Sequence, residues 1–75
     1  MSEPVLYHTD GCHLCEQAAA LLTRLGQRFT WVDIVDSPEL VERYGVRIPV
    51  IRRSDGAELG WPFELAELER FLEDS

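Results

Sequence analysis

The chain has 75 residues, of which 45% are hydrophobic and 28% are charged. This length predicts one domain, residues 1–75, and the hydrophobic content excludes an intrinsically disordered chain. Fourteen acidic residues and seven basic residues, all arginine, give a formal net charge of −7, so we expect no binding to nucleic acid or to acidic membrane surfaces, which both require a positively charged face.

The first half of the chain predicts a strand, a helix and a second strand. Residues 4–9 contain the apolar run Val5-Leu6-Tyr7, which is typical of a strand buried on both faces. Residues 13–25 carry apolar side chains at helical spacing and are followed by a glycine, so they predict a helix. Residues 29–35 are rich in aromatic and β-branched side chains, which favour a second strand.

The second half predicts a short helix, a hairpin and a terminal helix. Residues 38–44 begin with a proline, which suits the first helical turn, and a glycine follows them. Residues 46–53 and 57–60 flank a Ser-Asp-Gly turn and predict two antiparallel strands. From Glu64 onward, leucines recur on one face of a helix that closes the chain.

The resulting order, β-α-β-α-β-β-α, predicts an α/β fold. Two strands joined through a helix pair in parallel by a right-handed crossover, and the hairpin then adds antiparallel strands to the same sheet. We therefore expect a four-stranded mixed sheet with helices on both faces. Ligand sites in such sheets lie beyond the carboxyl ends of the parallel strands, which makes residues 10–15 the candidate site.

Cys12 and Cys15 form a C-x-x-C motif between the first strand and the first helix. This placement puts Cys12 at the helix N-terminus and Cys15 one turn inside, so that their sulfur atoms can meet. The unpaired N–H groups and the helix dipole at that end stabilise a thiolate and lower the pKa of the thiol. The sequence predicts that Cys12 attacks a substrate disulfide and that Cys15 resolves the mixed disulfide.

A structural disulfide and a metal site are two other interpretations of the cysteine pair, and the first depends on the compartment of the protein. The N-terminal residues predict no signal peptide and no apolar run is long enough to cross a membrane, so we expect a cytoplasmic protein. A purely structural disulfide is disfavoured in that reducing compartment. A zinc or iron–sulfur site usually needs about four ligands, so His8, His13 or a second subunit would have to complete one. We expect no bound metal.

The same residues carry a resemblance to a known family. Three motifs carry it: the C-x-x-C of Cys12 and Cys15, Ile48-Pro49 at the third strand, and the segment Gly60-Trp61-Pro62-Phe63. With these motifs, the chain resembles the short glutaredoxin-like proteins of the thioredoxin fold over its whole length. This resemblance implies that the Ile48–Pro49 bond is cis and lies beside Cys12. It also implies that the backbone of Ile48 pairs with a bound thiol substrate as an added strand would.

The departures from the glutaredoxin pattern concern glutathione. Thr9 stands where typical glutaredoxins have a lysine, and Leu14 stands where they have a tyrosine. In typical glutaredoxins, the segment after the hairpin holds the γ-glutamyl end of glutathione, and Glu64 is a conservative replacement there. Trp61 either fills the space that glutathione needs or frames a groove for a protein substrate. Arg47 is a candidate cation for a glutathione carboxylate, the alternative being a solvated arginine. The expected substrate-binding residues are Arg47, Ile48, Pro49, Trp61 and Glu64.

The function that the resemblance implies is that of a dithiol–disulfide oxidoreductase of glutaredoxin type. We expect a monomer without a bound cofactor, with glutathione as candidate co-substrate and a disulfide-containing protein or small thiol as substrate. Three alternatives remain: a glutathione-independent, thioredoxin-like electron carrier recharged by a flavin reductase, a metal or iron–sulfur carrier that uses Cys12, and a catalytically inactive binding module. Phe63 is expected to cap the core beneath the last helix.

Overall fold

The computed structural model describes residues 3–73, and residues 1, 2, 74 and 75 of the predicted domain lie outside the described residues. The elements follow the predicted order. They are β1 (Val5–His8), α1 (His13–Arg24), β2 (Thr30–Asp33), a 3-10 turn (Ile34–Asp36), α2 (Pro38–Tyr44), β3 (Val50–Arg52), β4 (Glu58–Gly60) and α3 (Leu65–Glu73). None of the helices in this part of the chain is long and apolar enough to cross a membrane.

The four strands form one mixed sheet in the order β2-β1-β3-β4. β1 pairs with β2 in parallel, and the other two pairings are antiparallel, which confirms the predicted topology. Tyr7 lies opposite Val50, which in turn lies opposite Gly60. The carboxyl ends of β1 and β4 therefore meet the amino end of β3 at one end of the sheet. We call this the cysteine end, because the turn before α1 begins there.

Helices cover both faces of the sheet, as the apolar run in β1 predicts. Leu6 and Tyr7 are successive residues whose side chains point to opposite faces, and both are buried. On the face of Leu6, α1 and α3 complete a core of Ala18, Ala19, Leu22, Ile51, Phe63 and Leu68. On the face of Tyr7, α2 and the 3-10 turn complete a smaller core of Ile34, Tyr44 and Val50. These are the α1/α3 face and the α2 face below.

The strand predicted over residues 46–53 is wrong in its first half. The N–H groups of Arg47 and Ile48 both donate to the carbonyl oxygen of Tyr44, at 2.8 and 3.0 Å, so the chain continues to turn after α2. Pro49 has no N–H to give to a strand ladder. Strand pairing therefore begins only after the proline, and β3 is three residues long.

The strand predicted over residues 29–35 also ends early. The side chain of Asp33 accepts a hydrogen bond of 3.1 Å from the N–H of Val35. This bond turns the chain into the 3-10 turn instead of extending β2. A short polar side chain that bonds to the backbone two residues ahead offers the chain an alternative to the strand ladder.

We expect Leu22→Ala to lower the free energy of unfolding by about 3 kcal/mol, because it opens a cavity in the core on the α1/α3 face. Urea denaturation of the oxidised protein measures this loss. Val35→Ala is the matched control, since Val35 is exposed and its truncation should change the free energy by less than about 0.5 kcal/mol. Equal losses in the two variants would contradict the described packing.

Candidate active site

Cys12 and Cys15 lie at the start of α1, as the C-x-x-C spacing predicts. Cys12 is the N-cap residue, and its Sγ accepts a hydrogen bond of 3.2 Å from the N–H of Cys15. A disulfide joins the two residues, whose Cα atoms are 5.2 Å apart. Cys12 is half-buried, whereas Cys15 is only 1% exposed. Of the two cysteines, only Cys12 is therefore accessible from solvent.

The backbone around Cys12 holds the sulfur atom at the helix terminus. The N–H of Cys12 donates to the carbonyl oxygen of Thr9 at 3.3 Å, which closes the turn between β1 and α1. Gly11 occupies this turn with a φ of 77°, a conformation that disfavours other residues. The bond from Cys15 N–H to Cys12 Sγ is of the kind that strengthens when the sulfur carries a charge. Together with the helix dipole, it favours the thiolate of Cys12.

The polar side chains in and beside the motif are exposed to solvent. His13 Nδ1 is 3.6 Å from Glu16 Oε2, and both side chains are exposed. Asp10 is exposed as well. Leu14, between the two cysteines, is 43% exposed and presents an apolar side chain to solvent. The surroundings of Cys12 therefore include the backbone N–H of Cys15 as a donor and the apolar side chain of Leu14.

The Ile48–Pro49 segment lies at the cysteine end, and its peptide bond is cis, as the resemblance implies. Pro49 is buried, and its carbonyl oxygen accepts a hydrogen bond of 3.1 Å from the N–H of Trp61. The bond between Trp61 and Pro62 is also cis, which the sequence analysis did not anticipate. The only signal for it was Pro62 itself, and most X-Pro bonds are trans.

Pairing with an added strand would use both the N–H and the carbonyl oxygen of Ile48, but only the carbonyl oxygen is open to such a bond. Its N–H already donates to Tyr44. Its carbonyl oxygen accepts no hydrogen bond from any residue in the described part of the chain. The predicted pairing of Ile48 with an extended substrate is therefore limited to accepting one bond from it.

Arg47 follows α2, and its side chain lies in a small polar cluster on the α2 face of the sheet. Its Nη2 is 3.7 Å from Glu58 Oε1, and its guanidinium carbon is 5.6 Å from the centre of the Tyr44 ring. The hydroxyl of Tyr44 donates to the other carboxylate oxygen of Glu58. The sequence indicates Arg47 but not Tyr44 or Glu58, because only the pairing of β4 with β3 brings Glu58 to this side of the sheet.

Burial raises the pKa of Tyr44 from its ordinary value of 10.0 to about 12, and the hydrogen bond to Glu58 adds to this shift. Both effects penalise the phenolate, because burial removes its hydration and Glu58 offers it a like charge. The neutral hydroxyl is therefore the form that the fold stabilises. Its contribution to stability is complete below pH 10 and is lost as the pH rises through about 12.

Trp61, Phe63 and Glu64 lie on the other side of the cysteine end. Phe63 is buried in the core beneath α3, which confirms the expected cap, and Trp61 meets its ring edge-on at a centroid distance of 5.0 Å. Trp61 and Glu64 line an open depression of about 440 Å³ beside α1. The backbone N–H of Glu64 donates a hydrogen bond of 3.3 Å to the carboxylate of Glu67, which caps the start of α3.

The expected substrate-binding residues thus divide between the two faces of the sheet. Ile48, Pro49 and Trp61 come together through backbone bonds at the cysteine end. Arg47 stands with Glu58 on the α2 face, whereas Glu64 stands beside α1. One small ligand that contacts Cys12 would therefore have to cross the end of the sheet to reach both charged side chains.

The histidines do not form a ligand set with the cysteines. His8 is half-buried and meets the ring of Trp31 edge-on at 4.7 Å, as expected for a residue that belongs to the strand. Within residues 3–73, no three side chains of His, Cys, Asp or Glu stand close enough together to hold a metal ion.

The mixed sheet, the helices on both faces and the cysteine pair at the start of α1 define a protein of the thioredoxin fold. The model of the glutaredoxin-like domain family (DUF836) matches residues 4–73. The chain therefore belongs to this glutaredoxin-like family, as its motifs indicate. No curated protein matches it.

Solved structures agree with this assignment. Protein XcR50 from X. campestris is 40% identical, with a TM-score of 0.90 over 96% of this chain and 97% of that chain. Protein Ne2328 from Nitrosomonas europaea is 25% identical, with a TM-score of 0.78 over 92% and 88% of the two chains. A glutaredoxin from Brucella melitensis is 29% identical, with a TM-score of 0.66 over 100% of this chain and 83% of that chain.

We expect iodoacetamide to modify Cys12 at least about tenfold faster than Cys15 in the reduced protein, because Cys12 is accessible and favoured as the thiolate. Mass spectrometry of the digested protein measures the two rates. The rate for Cys12 should reach half its maximum at a pH below the ordinary thiol pKa. The unfolded protein is the control, and there the two rates should be alike. Similar rates in the folded protein would contradict the described site.

We expect tyrosinate absorbance to separate the two tyrosines of the chain. The difference between the alkaline titrations of the wild type and Tyr44→Phe isolates Tyr44, and its midpoint should lie near pH 12. Circular dichroism over the same range identifies any unfolding. A midpoint near pH 10 in protein that is still folded would contradict the buried contact between Tyr44 and Glu58.

Proposed function

We propose that this protein is a dithiol–disulfide oxidoreductase of glutaredoxin type. The observation that supports the proposal best is the asymmetry of the cysteine pair. Cys12 is accessible at the helix N-terminus and accepts a hydrogen bond on its sulfur, whereas Cys15 is buried one turn inside. This is the arrangement that an attacking thiol and a resolving thiol require.

The reaction begins with the reduced protein. The Cys12 thiolate attacks one sulfur of the substrate disulfide, which forms a mixed disulfide and releases the first substrate thiol. Cys15 then loses its proton and attacks the Sγ of Cys12, which forms the Cys12–Cys15 disulfide and releases the second thiol. Two electrons pass from the protein dithiol to the substrate. In this proposal, the carbonyl oxygen of Ile48 would accept a backbone hydrogen bond from a polypeptide substrate.

Glutathione is the proposed donor that returns the protein to its reduced state. Two glutathione molecules would supply the two electrons and leave as glutathione disulfide. A disulfide-containing protein or a small thiol compound is the proposed substrate. One chain carries both sulfur atoms, so a monomer suffices, and a reducing compartment such as the cytoplasm would keep the cycle running.

A second candidate is a thioredoxin-like carrier that a flavin reductase recharges without glutathione. Two observations favour it. Arg47, the candidate cation for a glutathione carboxylate, is paired with Glu58. Leu14 and Thr9 stand where typical glutaredoxins place glutathione contacts. The chemistry of Cys12 and Cys15 is the same in both candidates, and only the electron donor differs.

We expect Cys12→Ser to lower disulfide reduction on the order of a hundredfold or more, because a serine hydroxyl is not a thiolate at neutral pH. Reduction of bis(hydroxyethyl) disulfide, coupled to glutathione, glutathione reductase and NADPH, measures the activity. A parallel assay with thioredoxin reductase and NADPH distinguishes the two donors. Cys15→Ser is the matched control, since it keeps the attacking thiol and loses only the resolving step. Unchanged activity in Cys12→Ser would refute the proposal.

A further inference from the structure

The open depression of about 440 Å³ lies between α1 and the chain that leads from β4 into α3. Ala20 and Leu21 line one wall, whereas Trp61, Phe63 and Leu65 line the other. Ligand sites in proteins are typically depressions of roughly 300–1,000 Å³ with a mainly apolar lining. In size and lining, this depression therefore suits an apolar group of a bound molecule.

A backbone hydrogen bond ties one wall of the depression to the cysteine end. Trp61 follows the last residue of β4, and its N–H donates to the carbonyl oxygen of Pro49 at 3.1 Å. The position of Trp61 is therefore fixed relative to the Ile48–Pro49 segment, which is where the proposed function has a polypeptide substrate bind. A substrate chain that leaves this segment along Trp61 reaches the depression.

The other wall is part of the helix that begins at the cysteine pair. Leu14, Gln17 and Leu21 are spaced by three and four residues, so they lie on one face of α1. Leu14 is 43% exposed between the two cysteines, and the other two side chains line the depression. Gln17 is five residues after Cys12, which is about 8 Å along the helix axis. An extended chain covers this distance with about three residues.

The lining leaves apolar surface uncovered. Leu21 and Trp61 are half-buried, because they pack against the core on the α1/α3 face and also line the depression. A substrate side chain that covered this surface would remove it from water and stabilise the complex. Only Gln17 and Glu64 have polar side chains among the described residues that line the depression. The contact offered is therefore mainly apolar.

A second copy of this chain is a less suitable occupant than a polypeptide substrate. Glu64 is exposed where it lines the depression, and the chain has a formal net charge of −7. Two copies would therefore approach each other with like charges. A neutral or basic polypeptide meets no such repulsion.

We propose that this depression is a subsite that takes a large apolar side chain of a polypeptide disulfide substrate, about three residues from the reacting cysteine. The inference rests on the proposed oxidoreductase function and specifies its substrate class. Polypeptides with an aromatic or a long aliphatic residue near the cysteine react faster than polar ones. Glutathione remains the proposed electron donor, because the subsite concerns only the polypeptide substrate.

The test compares two neutral peptide disulfides. Each is the symmetrical disulfide of a capped peptide that has one central cysteine, two serines on either side of it, and phenylalanine at both ends in the apolar probe or glutamine in the polar probe. Reduced protein is mixed with each probe, so that the protein dithiol becomes the Cys12–Cys15 disulfide and the probe yields two peptide thiols. Acid quenching and thiol labelling give the two rate constants, and their ratio, apolar over polar, measures the preference.

We expect this ratio to be at least about fivefold in the wild type, because the apolar probe buries a phenylalanine side chain in the depression. Ala20→Gln should lower the ratio to about one, since the longer polar side chain occupies the depression. Ala20 is exposed on α1, and glutamine is a good helix former. Thr23→Gln is the matched control, because Thr23 is exposed on the same helix but outside the described lining. It should keep the wild-type ratio.

A wild-type ratio near one would overturn the inference, and so would a preference that Ala20→Gln leaves unchanged, because the apolar contact would then lie elsewhere. Sedimentation of the wild type tests the other occupant: self-association that Ala20→Gln alone abolishes would assign the depression to a second copy and overturn the inference as well. Thermal melts establish that the variants are folded, and Ala20→Glu with Thr23→Glu repeats the test if the glutamine variant is not.

The same experiment separates the subsite from the proposed function. Failure of the reduced wild type to react with either probe would refute the proposed function itself. Reaction with both probes at equal rates would refute only the subsite.

Discussion

The antiparallel register between β1 and β3 decides which loops of this chain meet. Tyr7 lies opposite Val50, so the turn that carries Cys12 and the segment that carries Pro49 emerge at the same end of the sheet. A slip of one residue would turn the side chains of one strand to the opposite face, so that Leu6 and Ile51 could no longer share the α1/α3 core. The two buried cores therefore hold the register, and the site obtains its geometry from apolar contacts outside it.

The cysteine end combines a reactive centre with two different surroundings. On the α1/α3 side, Trp61 packs on Phe63 and its N–H binds the carbonyl oxygen of Pro49. On the α2 side, Tyr44 holds the segment before the proline and also orients Glu58. Pro49 is thus anchored from both faces of the sheet. This double anchoring fixes the position of Pro49 at the cysteine end.

Much of the fold was predictable because it depends on local pattern. Residues 4–9 contain an apolar run that is typical of a buried strand, and residues 13–25 repeat apolar side chains at helical spacing. The structure has both elements with slightly shorter bounds. The errors fall where a local hydrogen bond competes with the strand ladder. At Asp33 a side chain ends β2 early, and at Tyr44 a carbonyl oxygen delays β3.

The sequence by itself determined where the two cysteines lie, since a C-x-x-C between a strand and a helix places one cysteine at the helix terminus and the other a turn away whatever surrounds them. It also indicated the family, because the motifs that carry the resemblance lie in a fixed order. Only the tertiary structure decided what Arg47 is paired with and which face Glu64 occupies. Glu58 is 11 residues from Arg47 in the sequence and reaches it through the pairing of β4 with β3. Contacts of that kind depend on strand register, and register is set by the packing of the whole sheet.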